Sequence, residues 1–331
     1  MITLVAVIVA AALALVLQYC NRRRGCTETY AILDHVFLNV RAPTSEWLNM
    51  GWWEDSNVQF SEAAERLATK VLERVPALKP SPRILDVGHG CGDSLLLIHE
   101  LLRPAVLHGV TSLPKQAKRA QVRTQGKATI FCADATSWLE QSGEQYDVIV
   151  AIDCAYHFPD RQRFFKACAA HLKSGGHLVL FDLVGSWPYP PSKNPEEIGE
   201  EALDSFLASS LPPATRAPSL LDIFKHRLAC LMTSTPFRNL CPLSSYQEQL
   251  RHAGFCNSSI ADVSHAVFPG FARFLRGLGR GGEQAWRKGS PVQLAGLHTF
   301  GQVVEKWAQG GNAGLVRGVI VRATFDDQSQ K

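Results

Sequence analysis

Residues 83–94, RILDVGHGCGDS, set the narrowest limits on what this chain can become. An apolar run from Arg83 to Val87 ends in Gly88, Gly90 and Gly92, and a helical pattern begins at Leu95. Glycines alternating at such a junction let the backbone turn sharply and approach a ligand without a Cβ in the way, while the first N–H groups of the helix stay unpaired. Each glycine would weaken a strand or helix by about 0.5–1 kcal/mol, which argues against a glycine-rich turn that binds nothing. A dinucleotide fingerprint would need glycine at position 93, where Asp93 stands, and an acidic residue at a helix start repels a pyrophosphate. No Gly-Lys-Ser/Thr follows, which excludes a P-loop.

Around this loop, short apolar runs at 83–87, 105–110, 128–132, 146–152 and 177–183 alternate with helical patterns at 95–102, 116–122 and 161–172. Strands alternating with helices at this spacing predict an α/β fold with a doubly wound, mostly parallel sheet. Residues 315–324 form the last strand candidate, and 244–253 a helix ended by Gly254. Composition agrees with a folded domain, since 46% of residues are hydrophobic and 19% charged. A net charge of +4 is too small for a dedicated nucleic-acid binder, and no nucleic-acid partner is expected. The nine cysteines are odd in number and contain no CxxC pair, so neither a disulfide framework nor a zinc site is signalled.

The loop and the runs that follow it resemble the class I S-adenosylmethionine-dependent methyltransferases. Their LDxGxGxG strand-turn is matched by Leu85, Asp86, Gly88, Gly90 and Gly92; FCADA at 131–135 looks like the third-strand motif, YDVIVAIDCAYHF at 146–158 the fourth, and LKSGGHLVLFDL at 172–183 the fifth. LSSYQEQLRHAGF at 243–255 looks like the helix and turn before a sixth strand. The resemblance implies a seven-stranded Rossmann-like methyltransferase sheet with S-adenosyl-L-methionine as cofactor. It makes Asp86 and the three glycines the loop that holds the cofactor, Asp134 the acceptor for the adenine amino group, and Ala135 and Asp153 neighbouring contacts. At the end of the second strand, where many members carry Asp or Glu, this chain reads HGVTSLPKQAKRA. That pattern resembles the branch of sterol, tocopherol, cyclopropane-fatty-acid and phosphoethanolamine methyltransferases, and makes Gln116, with Thr111 beside it, the ribose candidate. LNMGWW at 48–53 resembles the aromatic segment that closes over the cofactor in that branch, which brings in Trp52 and Trp53. His89 departs from the small residue usual at its position.

A sulfonium cation activates its own methyl group, so a protein of this kind has mainly to align the acceptor and, where needed, remove its proton. His157, beside Tyr156 after the fourth strand, stands at the carboxyl edge where ligands bind in open α/β sheets. Histidine suits base work near neutral pH, and the phosphoethanolamine branch has a histidine here, so His157 and Tyr156 are the catalytic candidates. The competing reading has His157 capping the strand or packing under a lid. Trp52, Trp53 and Tyr156 suit either an aromatic wall for a cationic ligand or ordinary apolar packing. Cys91 has no basic neighbour in sequence and reads as structural. Asp153 and Asp182 sit at different strand ends, and no metal is expected.

The organisation falls into five stretches. Residues 1–25 form an expected transmembrane anchor with a basic flank: no charge stands between Met1 and Leu17, the run to Tyr19 would reach about 28 Å as a helix, and Arg22, Arg23 and Arg24 follow at once. Positive charge after the apolar run predicts an uncleaved single span with the catalytic region in the cytosol, here assigned to the endoplasmic reticulum. Residues 26–82 form a helical cap, 83–184 the cofactor-binding core, 185–242 a proline-rich helical lid insertion, and 243–331 the C-terminal part of the fold. Between Phe271 and Arg322 there are eight basic residues against two acidic. This segment is either an amphipathic piece lying on an anionic membrane or a core-facing helix with solvated arginines. The expected function is methyl transfer to a lipophilic or amphiphilic small molecule at a membrane. Two rivals stand: a water-soluble acceptor with the anchor only setting location, and a cofactor-binding scaffold without catalysis.

Overall fold

The computed structural model describes residues 45–54, 58–185, 223–224, 226–227, 230–231, 233–279, 291–309 and 315–327. Its strands are β1 (Arg83–Val87), β2 (Val106–Thr111), β3 (Thr129–Cys132), β4 (Tyr146–Ile152), β5 (Leu172–Gly185), β6 (Phe255–Asp262) and β7 (Val316–Phe325). The helices are α1 (Phe60–Leu72), α2 (Asp93–Leu102), α3 (Pro114–Thr124), α4 (Ala135–Gln141), α5 (Arg161–Ala170), α6 (Leu243–His252), α7 (Ser264–Gly279) and α8 (Pro291–Gln309).

All seven strands join one sheet in the order β3-β2-β1-β4-β5-β7-β6. The first five are parallel, and β7 runs antiparallel to both β5 and β6. Central strands covered on both faces favour apolar residues on both, which is why β1 and β4 are mainly apolar, Arg83, Asp86 and Asp147 excepted. Side chains alternate between the two faces. Ile84, Val148, Val150 and Phe181 meet α1, α2, α7 and α8 on one side, while Leu85, Val87, Ile149 and Ala151 meet α4, α5 and α6 on the other. The chain leaves β1 toward β2 and β3, then returns to β4 on the opposite side of β1. That reversal opens a crevice at the carboxyl ends of β1 and β4, the usual ligand position in such sheets.

The sequence segments largely become the expected elements, with two differences. Strand β5 is longer than its apolar run at both ends: it begins at Leu172, which pairs with Tyr146 of β4, and it continues to Gly185 because β7 pairs with it over nine residues from His177 onward. The C-terminal stretch is also more than a completion of the sheet: α7 and α8 lie between β6 and β7 in sequence and join α1 in a helical layer. Within α7, Val267, Phe268, Phe271, Ala272 and Leu275 are buried, and Phe271 meets Phe300 of α8 at 6.3 Å between rings. Of the two readings of the basic segment, the core-facing helix is the one formed here: its apolar face is covered, Arg273 is exposed and Arg276 pairs with Glu305. Among the described residues no helix is long and apolar enough to cross a membrane. The expected anchor, residues 26–44 of the cap and most of the proline-rich lid lie outside the described residues.

Candidate functional site

The loop after β1 is shaped by its glycines. Gly88 has φ +72°, and a Cβ there would lie 2.7 Å from the Cys154 sulfur, so β1 and the turn after β4 approach as closely as they do only because position 88 lacks a side chain. Gly90 has φ +55°, and a Cβ there would meet nothing nearer than the Leu48 side chain at 3.5 Å. This leaves a cradle of bare backbone open beside the first turn of α2, which Gly92 caps.

Asp86 lies under this loop at 1% exposure. Its Oδ2 accepts a 2.5 Å hydrogen bond from the Ser94 hydroxyl, while its Oδ1 is buried without a hydrogen-bond partner. Burial raises its pKa to about 7, and the Ser94 bond works against the rise. At the next strand end Thr111 donates to Gln116 Oε1 at 3.1 Å, bringing the two ribose candidates together, and Ala133 N–H donates to Thr111 O at 3.0 Å. Asp134, exposed at the end of β3, caps α4 by accepting from Ser137 N–H at 2.8 Å, and Ala135 opens that helix as a buried residue. The glycine loop, Thr111, Asp134 and Asp153 thus follow four neighbouring strands along one carboxyl edge. A backbone cradle, an orphaned buried carboxylate oxygen and hydroxyl and amide groups at β2 match a ligand carrying an ammonium group and a ribose, so the residues fit S-adenosylmethionine.

Residues 45–53 form a strap across this edge, and its ties connect residues far apart in sequence. Glu46 N–H donates to Asp93 at 3.1 Å, and the Glu46 carboxylate takes a bidentate pair from Arg119, Nε donating to Oε2 at 2.9 Å and Nη2 to Oε1. Arg123 pairs with Asp93 and donates to Cys91 O, so the acidic residue at the start of α2 is neutralised. Asn49 Nδ2 donates to Ala64 O at 2.9 Å. Met50 N–H donates to Asp153 Oδ2 at 2.7 Å, and Tyr156 OH donates to Asp153 Oδ1 at 2.8 Å. Asp153 is a non-glycine residue at φ +61°, buried, with burial raising its pKa to about 7. In this geometry it joins the strap to the turn bearing Tyr156.

The strap faces the loop through Leu48, whereas the tryptophans turn to the helical layer. Trp53 stacks among Phe60 and Phe274, its Nε1–H donates to Met50 O, and a Cβ on Gly270 would lie 2.1 Å from it. Trp52 packs edge-on to His265 with Lys70 above its ring at 5.9 Å. Of the two sequence readings, apolar packing describes the Trp53 ring, because α7, more than 200 residues further along the chain, provides Phe274 and Gly270 as its partners.

Tyr156 and His157 follow β4 in a short 3-10 turn, with ring centroids 4.2 Å apart. Burial lowers the His157 pKa to about 4, so the imidazole is neutral at physiological pH. Asn239 holds the turn from the far side, donating to Tyr156 O at 3.0 Å and Phe158 O at 2.7 Å. Burial beside Glu46 and Asp93 pushes the Cys91 thiol up to about 12, which leaves it unreactive. Among the described residues no three His, Cys, Asp or Glu side chains gather as a metal site. Sequence reasoning had no signal for the Glu46–Arg119 pair, for Leu48 or for Asn239, since each depends on a partner distant in sequence.

His89 is 4% exposed, neither ring nitrogen has a hydrogen bond, and burial lowers its pKa to about 4. An unfolded histidine takes up its proton below about pH 6.5, so the unfolded state binds more protons from there down to about pH 4 and stability falls with pH across that window. Urea unfolding at pH 7 and pH 5 should show the wild type losing about 2 kcal/mol more than a His89→Ala chain; equal losses would remove His89 from the acid sensitivity.

A family model described as a methyltransferase domain matches residues 60–259. Erythromycin 3''-O-methyltransferase of Saccharopolyspora erythraea is 26% identical over 250 residues, covering 73% of this chain and 74% of the relative. The 27-O-demethylrifamycin SV methyltransferase of Amycolatopsis mediterranei is 26% identical, covering 69% and 73%. Among solved structures, mycolic acid cyclopropane synthase CmaA1 complexed with SAH and CTAB superposes with a TM-score of 0.63 at 17% identity, covering 89% of this chain and 95% of that one. At that identity the likeness concerns the fold.

Proposed function

Because the chain belongs to the methyltransferase domain family and is a class I S-adenosylmethionine-dependent methyltransferase, we propose that its acceptor is a hydroxyl group on a lipophilic or amphiphilic small molecule met at a membrane. The observation that carries the reading is His157, a neutral imidazole beside Tyr156 in the turn after β4, the strand next to the one that feeds the glycine loop. A hydroxyl must lose its proton as it gains a methyl group, and a neutral histidine at this edge is the group suited to take it. Two curated relatives support a bulky acceptor, one named for an O-methylation of erythromycin and one for methylation of a demethylated rifamycin. The structural neighbour named for mycolic acid and holding CTAB supports a lipophilic one. The uncharged run from Met1 to Leu17, followed by Arg22 to Arg24, supports attachment to the endoplasmic reticulum membrane with the enzyme on the cytosolic side.

Bound S-adenosylmethionine supplies an electrophilic methyl group that needs no metal. The chain's share is to hold the cofactor along the edges of β1 to β4, to cover it with the strap, and to accept the acceptor's proton on His157. The test is an incubation of sealed microsomes containing the full chain with methyl-labelled cofactor outside. Label should enter the organic extract as an ether, external protease should abolish it, and His157→Ala should reduce it by about 100-fold or more with cofactor affinity unchanged. Label confined to the aqueous phase would favour a soluble metabolite, and no label in any fraction a scaffold without catalysis.

A further inference from the structure

We propose that Thr235 and Thr233 are positioning residues that fix the His157 ring in the tautomer carrying its proton on Nδ1. The inference rests on the reading of His157 as the proton acceptor and deepens it by assigning which nitrogen does the work. After the lid, the chain returns to the sheet through residues 233–240, and a relay of three hydrogen bonds leads from the Cys230 carbonyl through this arm to the imidazole. Thr235 Oγ1 lies 3.3 Å from His157 Nδ1, Thr233 Oγ1 lies 3.0 Å from Thr235 Oγ1, and Thr233 Oγ1 donates to the Cys230 carbonyl at 3.4 Å.

The direction of this chain follows from its far end. A carbonyl oxygen only accepts, and a threonine hydroxyl has a single proton to give. With the Thr233 proton on Cys230 O, the proton between the two threonines belongs to Thr235. The proton between Thr235 and the ring is then the ring's own, on Nδ1. A neutral imidazole with hydrogen on Nδ1 carries its lone pair on Nε2. Nε2 is therefore the nitrogen that accepts the acceptor's proton.

The arm is built to hold this setting. Thr235 is 8% exposed, and its N–H donates to Cys230 O at 2.8 Å, so the same carbonyl anchors both the loop and the hydroxyl chain. A few residues on, Arg238 donates to Pro159 O and Asn239 to the carbonyls of Tyr156 and Phe158. The docking of the arm and the orientation of the base are thus one structural event.

The test is nitrogen NMR of the full chain with 15N-labelled histidine, the His157 signals being assigned by their loss in His157→Gln. In the wild type, Nδ1 should resonate as a protonated nitrogen and Nε2 as an unprotonated one. Thr235→Val keeps the side-chain shape without the hydroxyl; there the two signals should move toward each other, and kcat should fall about tenfold with the cofactor KM unchanged. Thr235→Ser should restore both. A wild-type signal with the proton on Nε2 would overturn the proposal even if the valine variant failed to fold. So would unchanged tautomer and turnover in Thr235→Val while His157→Ala is impaired. Full turnover in His157→Ala would instead remove the base reading on which the catalytic half rests, leaving the NMR to decide the tautomer alone.

Discussion

A Gly90→Val chain should lose S-adenosylmethionine binding by about 100-fold or more, equivalent to about 2.7 kcal/mol. Two effects act together. Gly90 sits at φ +55°, a region a β-branched residue enters only with strain of about 1–3 kcal/mol. The new side chain would also stand in the open space beside Leu48 where the backbone is otherwise bare. Titration calorimetry checks the affinity, and a urea melt checks that the variant is folded. Affinity within a few-fold of the wild type in a folded variant would show that the cofactor lies elsewhere.

The largest stability effect belongs to a cluster that sequence reasoning passed over. Arg161 and Asp182 are both fully buried and paired at 3.1 Å, with the guanidinium also donating to Leu183 O and resting 4.5 Å from the Tyr246 ring. Tyr246 OH donates to the same carboxylate at 3.1 Å. Arg161→Leu would leave Asp182 buried without its counter-charge, a change that typically destabilises by about 3–5 kcal/mol. Replacing both partners, Arg161→Leu with Asp182→Leu, should recover much of that loss, because no charge then remains to be solvated. Denaturant unfolding of the single and double variants decides it; equal destabilisation in both would mean that packing, not charge, dominates. The cluster also bears on the site, since Phe181 O, one residue before Asp182, accepts the Asp153 N–H at 3.1 Å.

What was legible beforehand was local. The runs that became β1 and β4 could be bounded to the residue because central strands are mainly apolar and stop at glycine or a polar turn. Thr111 and Gln116, five residues apart, could be paired through the resemblance of HGVTSLPKQAKRA to one branch of the family, and the strand end and first helical turn then bring them within 3.1 Å. Less legible was whatever required two distant segments. Trp53 suited a ligand wall as well as a core until α7 supplied Phe274 and Gly270. The Arg161–Asp182 pair and the Thr235–His157 bond span 21 and 78 residues, and no periodicity marks them. The polar interior of this enzyme is mostly of that second kind.

The place of β7 bears on how the chain is made. It is the last strand of the sheet in chain order, yet it belongs inside the sheet, between β5 and β6. During synthesis, β5 emerges more than 130 residues before its antiparallel neighbour. Until β7 arrives, the apolar backbone edge of β5 from His177 to Gly185 is an open template of the kind that invites pairing with another chain. Contacts of such long sequence separation also slow folding. The nascent protein therefore passes through a period of edge exposure that ends only when Val316 to Phe325 slide into the gap, which makes this strand the step at which folding and aggregation compete.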